Sequence, residues 1–137
     1  MGKMNKTQIL EIEVLLDAFY SVKGKSGTAT MILFHGNFTS DFGCGTVLPG
    51  GVDTHIEYFG QKRTLSARYI LQGKSKTGKN FNIFIENNGE CSGDTPFFTK
   101  PKILTDCEEL SFLENAPLHG EVHPAGDGKV IIKIFSL

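Results

Sequence analysis

Five polar residues stand among apolar and β-branched neighbours where they could do chemistry: Asp53, His55, Arg68, Glu86 and Asn88. Arg68 lies in the run from Arg63 to Gln72, sharing a face with Ser66 and Ile70 while Leu65, Ala67, Tyr69 and Leu71 form the other. Glu86 shares a face with Phe84 and Asn88, opposite Ile83 and Ile85. If the Ser66/Arg68 and Glu86/Asn88 side is turned inward, the guanidinium must meet a carboxylate, because an unpaired buried charge is costly. Asp53 or Glu86 would supply it. Such a cluster orients a ligand carboxylate or carbonyl and can place a carboxylate as general base. In the rival arrangement the whole group is a solvated outer face, and the alternation alone leaves both open.

Other chemistry-bearing patterns resolve into structure. His119 and His123 have the i, i+4 spacing that suits zinc on a helix, but Gly120, Val122 and Pro124 argue for a strand, where four residues span ~13 Å. They are expected as surface strand histidines, and no metal is called for. The glycine-rich stretch Gly43 to Gly51 lacks the G-x-G-x-x-G order and any Lys-Ser/Thr ending, and it precedes a strand, not a helix. It is expected to be a bulged or sharply turned strand junction. Lys74, Lys76 and Lys79 have no interleaved aromatic and read as a solvated hairpin tip. Cys44, Cys91 and Cys107 are odd in number and widely spaced, which fits reduced thiols.

The elements that must position the polar group are strands. Thr7 to Tyr20 alternates with period two, and the turn Lys23 to Gly27 leads into a second β-branched run from Thr28 to Phe38. Further strands follow over Val52 to Phe59, Arg63 to Gln72 and Asn80 to Asn88. A polar loop is expected from Glu90 to Thr95. Phe97 to Leu104 is extended but carries Pro101, the mark of an edge or bulged position. One segment of about ten residues reads helical, with Asp106 and Glu109 as a capping box and Pro117 as its stop. Leu118 to His123 and Lys129 to Phe135 form a closing hairpin about Gly126-Asp127-Gly128. Short connections throughout predict an antiparallel, all-β, up-and-down meander of about eight strands closed into a barrel, with one short helix. A barrel of that size is filled by side chains or holds one small ligand.

Composition agrees. The 137 residues are 39% hydrophobic and 21% charged with a net charge of −1, which predicts one globular domain over residues 1–137 and no nucleic-acid footprint. No run approaches the ~18 uncharged apolar residues of a membrane span, so no membrane partner is expected. The N-terminal Met1 to Lys6 enters an acidic segment with no signal core, so the expected location is cytoplasmic. The one excess is glycine, 16 residues or about 12% against an average near 7%.

Thr46-Val47-Leu48-Pro49-Gly50-Gly51-Val52-Asp53, followed by Leu65-Ser66-Ala67-Arg68-Tyr69-Ile70-Leu71 and Ile85-Glu86-Asn87-Asn88-Gly89, resembles the family classified as domain of unknown function 3237. The similarity runs from about Phe34, where Gly36-Asn37-Phe38 is similar to that family's Gly-x-Phe opening, to the end of the chain. The resemblance implies a small antiparallel β-barrel and matches the family pattern at Gly50, Gly51, Asp53, Arg68 and Gly89. Ser66 stands where family members commonly carry a carboxylate, and Phe112 and Phe98 where Trp and Arg are frequent, so a catalytic device built on that carboxylate is absent here.

Three functions follow as expectations. The first is a barrel that binds a small, partly apolar ligand in its interior or mouth, with Asp53, Arg68 and Glu86 as anchors and Tyr69, Phe84 and Tyr58 as walls. Gly50, Gly51 and Gly89 would be structural. The second is a lyase, isomerase or cyclase needing no cofactor, with Asp53 or Glu86 moving a proton and Arg68 stabilising negative charge. The third is a structural or interaction protein that forms a homodimer through an exposed apolar strand face.

Overall fold

Runs of alternating β-branched and aromatic residues pair along the chain into one sheet that closes on itself. The computed structural model describes residues 6–91 and 97–137. Its strands are β1 (Thr7–Lys23), β2 (Gly27–Thr39), β3 (Gly43–Val47), β4 (Val52–Tyr58), β5 (Thr64–Ser75), β6 (Asn80–Glu90), β7 (Phe97–Thr105), β8 (Leu118–Pro124) and β9 (Lys129–Ser136). All pairings are antiparallel, and β1 bonds both β2 and β9, which closes the ring. The polar loop expected from Glu90 to Thr95 falls largely on residues 92–96, and part of the N-terminal reading falls on 1–5. Both stretches lie outside the described residues.

The nine strands of the described residues make eight staves, because β3 and β4 share one position between β2 and β5. The four steps from Leu33 to Asn37 on β2 stand against six from Thr46 to Val52 on the shared stave. The surplus is looped out at Leu48–Pro49–Gly50–Gly51. The glycine-rich junction is therefore an interruption within a stave, as its composition predicts, but Gly43–Val47 is itself a strand. Two glycines in five residues hid it, since glycine lowers strand propensity without preventing pairing.

Inward side chains divide the barrel into two halves. At one end Phe38, Phe81, Leu71, Ile83, Ile12 and Ile134 are almost completely buried. There Phe81 meets Phe38 and Phe42 edge to face at centroid distances of 6.0 and 5.2 Å. Each such burial contributes roughly 1.5–3 kcal/mol. Leu113 closes this end from a short 3-10 helix, Glu108–Glu114. The expected capping box does not form. Asp106 instead accepts hydrogen bonds from the backbone N–H and Nδ2 of Asn82 at 2.8 and 2.7 Å, and Cys107 occupies the N-cap without a side-chain bond. With Asp106 held by β6 and Pro117 ahead, the segment forms only the tighter helix. No helix among the described residues is long and apolar enough to cross a membrane.

At the other end β1 outruns β9, whose register stops at Leu15↔Lys129, and with β2 it projects as a hairpin on which Phe19, Tyr20 and Val22 are exposed. Pro101 lies beyond the short β7–β8 pairing, which covers only Phe97 to Thr99, so its missing N–H breaks no ladder on that side.

On the outer face of β8, Glu121 accepts from Lys6 Nζ at 2.6 Å and from His123 Nε2 at 2.9 Å, with His119 Nε2 at 3.8 Å. The two histidines thus flank a carboxylate. The Lys6 hydrogen bond first, and His123 after it, lower the Glu121 pKa below its ordinary value, against the desolvation that raises it. A depressed carboxyl pKa contributes stability that is present above the unfolded value and lost as pH falls through the folded one. Glu121→Gln is expected to shallow the fall in Tm from about pH 5 to pH 3. Parallel Tm profiles for variant and parent would refute this.

Candidate functional site

The Leu48–Gly51 interruption sets the phase of β4 and thereby delivers Asp53 and His55 to the inside. Gly50 takes a left-handed φ of +104° with open space around it, which turns the chain. Gly51 follows in the wall itself. A Cβ there would stand 3.1 Å from the Phe34 ring and 3.3 Å from Tyr69 Cβ, so the missing side chain lets those two rings meet edge to face at 5.4 Å.

Below these rings the hollow end of the barrel holds a cavity of about 180 Å³. Its wall is almost wholly apolar, with Val14 and Leu16 from β1, Ile32 and Phe34 from β2, Leu65 and Ala67 from β5, and Val122 from β8 among its residues. Four polar side chains enter it: Asp53, His55, Tyr69 and Asn87. His55 Nε2 donates to Asp53 Oδ2 at 2.8 Å, and the two side chains keep only 16% and 23% of their exposure. Cross-strand register sets Asp53 against Ala67, and Ala67 against Asn87, so the small alanine separates the two polar groups on one level.

Asp53 Oδ1, Tyr69 Oη, Asn87 Oδ1 and Thr99 Oγ1 are all buried with no hydrogen-bond partner among the described residues. Leaving such a group unmet costs about 1–3 kcal/mol, and buried polar groups in folded proteins are paired in the great majority. Burial first, and the Asp53 carboxylate second, push the Tyr69 phenol above its ordinary range. Tyr69 therefore stays protonated and can donate.

The outer face of β5 and β6 carries the rest of the expected group. Arg68 Nε donates to Glu86 Oε2 at 3.0 Å directly across the strands, and the arginine side chain is 66% exposed. Ser66 and Asn88 extend this pair into a surface ladder, through Ser66 Oγ to Asn88 Oδ1 at 2.7 Å and Asn88 Nδ2 to Glu86 Oε1 at 3.1 Å. The Asn88 hydrogen bond first, and then Arg68, lower the Glu86 pKa. The inward face is the Leu65/Ala67/Tyr69/Leu71 and Ile83/Ile85 side. Turning Arg68 outward avoids burying its charge while closure buries the more apolar face.

Of the six residues expected at a ligand, the cavity thus brings together Asp53 and Tyr69. Arg68 and Glu86 form a pair outside, Phe84 packs half-buried on the outer surface, and Tyr58 is exposed at the end of β4. Gly89 is packed as a structural glycine would be, a Cβ there standing 3.0 Å from Thr99 Cγ2. The residue that the sequence reading passed over is Asn87. Its signal was present, since period-two counting places it on the Ile83/Ile85 face, where an amide has no ordinary reason to stand.

The same architecture occurs in solved structures. A protein with unknown function from Clostridium acetobutylicum is 25% identical with a TM-score of 0.81, the match covering 99% of this chain and 98% of that one. A conserved protein of unknown function from Rhodopseudomonas palustris gives 16% identity and a TM-score of 0.76 over 99% of both chains. An enzyme from Penicillium herquei gives 14% and 0.73, covering 99% of this chain and 98% of that one. No curated protein matches the chain. The family model described as protein of unknown function (DUF3237) matches residues 5–137, nearly the whole sequence, and the chain belongs to that family.

Proposed function

We propose that this protein binds a small, largely apolar molecule at the hollow end of its barrel, anchored by Asp53, Tyr69 and Asn87. The observation that carries the reading is a cavity whose wall is apolar but for four residues, Asp53, His55, Tyr69 and Asn87. Ligand sites combine apolar lining with a few polar groups in this way. The volume of about 180 Å³ compares with the roughly 150 Å³ of an engineered apolar cavity that takes up benzene. The occupant is therefore of single-ring size.

Native mass spectrometry against a set of neutral fragments of about six to eight non-hydrogen atoms tests this. Adducts are expected on the parent protein and on Arg68→Ala, whose guanidinium is outside. They are expected to vanish in Ala67→Leu, which fills the space between Asp53 and Asn87. Absence of adducts on the parent, or their persistence in Ala67→Leu, would overturn the reading.

The Asp53–His55 pair favours a second reading, cofactor-free proton transfer of the lyase, isomerase or cyclase kind. A carboxylate that accepts from one imidazole nitrogen fixes the ring's tautomer and orientation, leaving the other nitrogen to take or give a proton. Arg68 is not available to stabilise developing negative charge, so that role passes to the Tyr69 hydroxyl. Chemical change in a bound fragment that depends on His55, with adduct formation preserved in His55→Gln, would distinguish catalysis from binding.

A further inference from the structure

We propose that two copies of this chain associate through the projecting hairpin, the open edge of β1 pairing antiparallel with its own copy about a two-fold axis at Ser21. The proposal is independent of the cavity and of what the cavity holds.

The edge is open from Asp17 to Lys23. On that side of β1 the Leu16 N–H donates to Gly128 O at 2.8 Å, and beyond it, among the described residues, β1 pairs only with β2. Alternation says which backbone groups are unmet. The Gly24 N–H donates to Gly27 O at 2.8 Å, and the register from Lys23↔Thr28 to Ala18↔Leu33 runs without a slip, so Val22, Tyr20 and Ala18 bond to β2. Phe19, Ser21 and Lys23 therefore turn their N–H and C=O groups away from the barrel. Folded proteins blunt such edges with charge, proline or a bulge. Here the bulge falls at Asp17, whose Oδ1 lies 2.7 Å from His35 Nδ1, while Ala18-Phe19-Tyr20-Ser21-Val22 carries no charge and no proline. Phe19, Tyr20 and Val22 on this edge are all exposed.

Self-complementarity names the occupant. An edge whose unmet groups recur at every second residue matches a copy of itself running antiparallel, and such an isologous contact closes after two copies. An axis at Ser21 uses all three residues, setting Ser21 against Ser21 and Phe19 against Lys23 of the second copy. Tyr20 then lies beside Val22 on the outer face, an aromatic and β-branched pair, and the Lys23 ammonium reaches the Phe19 ring on the inner one. Charge agrees with this direction. Lys25 comes level with Asp17, whereas a parallel arrangement would set lysine beside lysine. A register one pair deeper is blocked, because it brings Gly24 of one copy level with Leu16 of the other, whose N–H is already taken by Gly128. The exposed parts of Phe19 and Tyr20 in two copies offer on the order of 500 Å², below the about 1,200 Å² of a standard stable interface, so the dimer is weak and concentration-dependent.

Sedimentation velocity of the full chain in reducing buffer is expected to show monomer at about 1 μM and dimer at about 300 μM. Ser21→Pro removes an N–H that points away from β2, the edge position at which proline is tolerated. It is expected to weaken association at least tenfold while the circular dichroism spectrum stays that of the parent. Val22→Lys serves the same purpose should the proline variant fail to fold, since a lysine within an edge opposes pairing. Ser21→Cys tests the axis, because opposed residues of a hydrogen-bonded pair stand about 5.5 Å apart, within disulfide reach. Under mild oxidation, with the parent as control for its native thiols, it is expected to cross-link at least tenfold faster than Val22→Cys. Dimer of parental strength in a folded Ser21→Pro or Val22→Lys, or equal cross-linking of the two cysteine variants, would overturn the proposal. A parent that stays monomeric at about 300 μM would overturn it too, and leave the edge to an extended segment of another protein.

Discussion

Replacing Phe38 by alanine is expected to destabilise the barrel by about 3–5 kcal/mol, the range for removing a fully buried aromatic ring. The ring is 1% exposed, meets Phe81 edge to face, and sits so close to Gly73 that a Cβ on that glycine would come within 2.7 Å of it. Backbone from β3 and β5 lines the same spot, so the walls cannot collapse to fill the space the ring leaves. Urea unfolding should show the midpoint falling with little change in slope, the signature of lost stability in an unchanged transition. The comparison that gives the number meaning is Ala67→Leu at the hollow end, where added carbon enters existing space and stability is expected to change by less than about 1 kcal/mol. A loss below about 1.5 kcal/mol for Phe38→Ala would show that the closed end is not packed as described.

Gly51→Val is expected to cost about 1–3 kcal/mol and to weaken fragment binding more than tenfold. The first added carbon already lies 3.1 Å from the Phe34 ring and 3.3 Å from Tyr69 Cβ, and valine brings two more carbons to the same place. Both rings form the cavity wall, so the displacement that relieves the crowding is the one that deforms the site. Gly50→Ala separates this from a simple turn effect. Its Cβ meets nothing within 4 Å, and its cost comes from the left-handed φ alone, on the order of 1 kcal/mol. Binding by Gly50→Ala is expected to match the parent. Equal loss of binding in the two variants would mean that the interruption acts only as a hinge for β4 and that Gly51 has no separate role in the wall.

Legibility in the sequence followed the physics of alternation. Period-two patterns in Thr7 to Tyr20 and in Lys129 to Phe135 identified strands that open and close the ring, and short connections implied antiparallel order. The same pattern could not say which face of β5 and β6 turns inward, because each face mixes polar and apolar residues. Ser66, Arg68 and Ile70 compete with Leu65, Ala67, Tyr69 and Leu71. Only closure decides, by burying the face whose summed apolar area is larger and leaving the charged pair in water. Once that face is known, Asn87 becomes the anomaly and Glu86 the ordinary surface residue. The resemblance located Asp53 and Arg68 as positions of interest, but a sequence motif does not distinguish a residue in the chamber from one bonded across its outer wall. The helix was misjudged in detail for a local reason, since Asp106 found better donors on β6 than in its own first turn.

The looped-out residues of the split stave have a further consequence that is purely arithmetical. Because the surplus over β2 is even, β3 and β4 keep the same phase, so that Val47, Asp53 and His55 all point inward. At the bulge between Leu16 and Ala18 of β1, a single extra residue does the reverse and exchanges inside for outside along the projecting hairpin. Loss or gain of one residue anywhere from Leu48 to Gly51 would turn Asp53 and His55 to the solvent and bring Val52 and Thr54 into the chamber, whereas a two-residue change would preserve its chemistry. Length variation at this junction is thus constrained by parity more than by size.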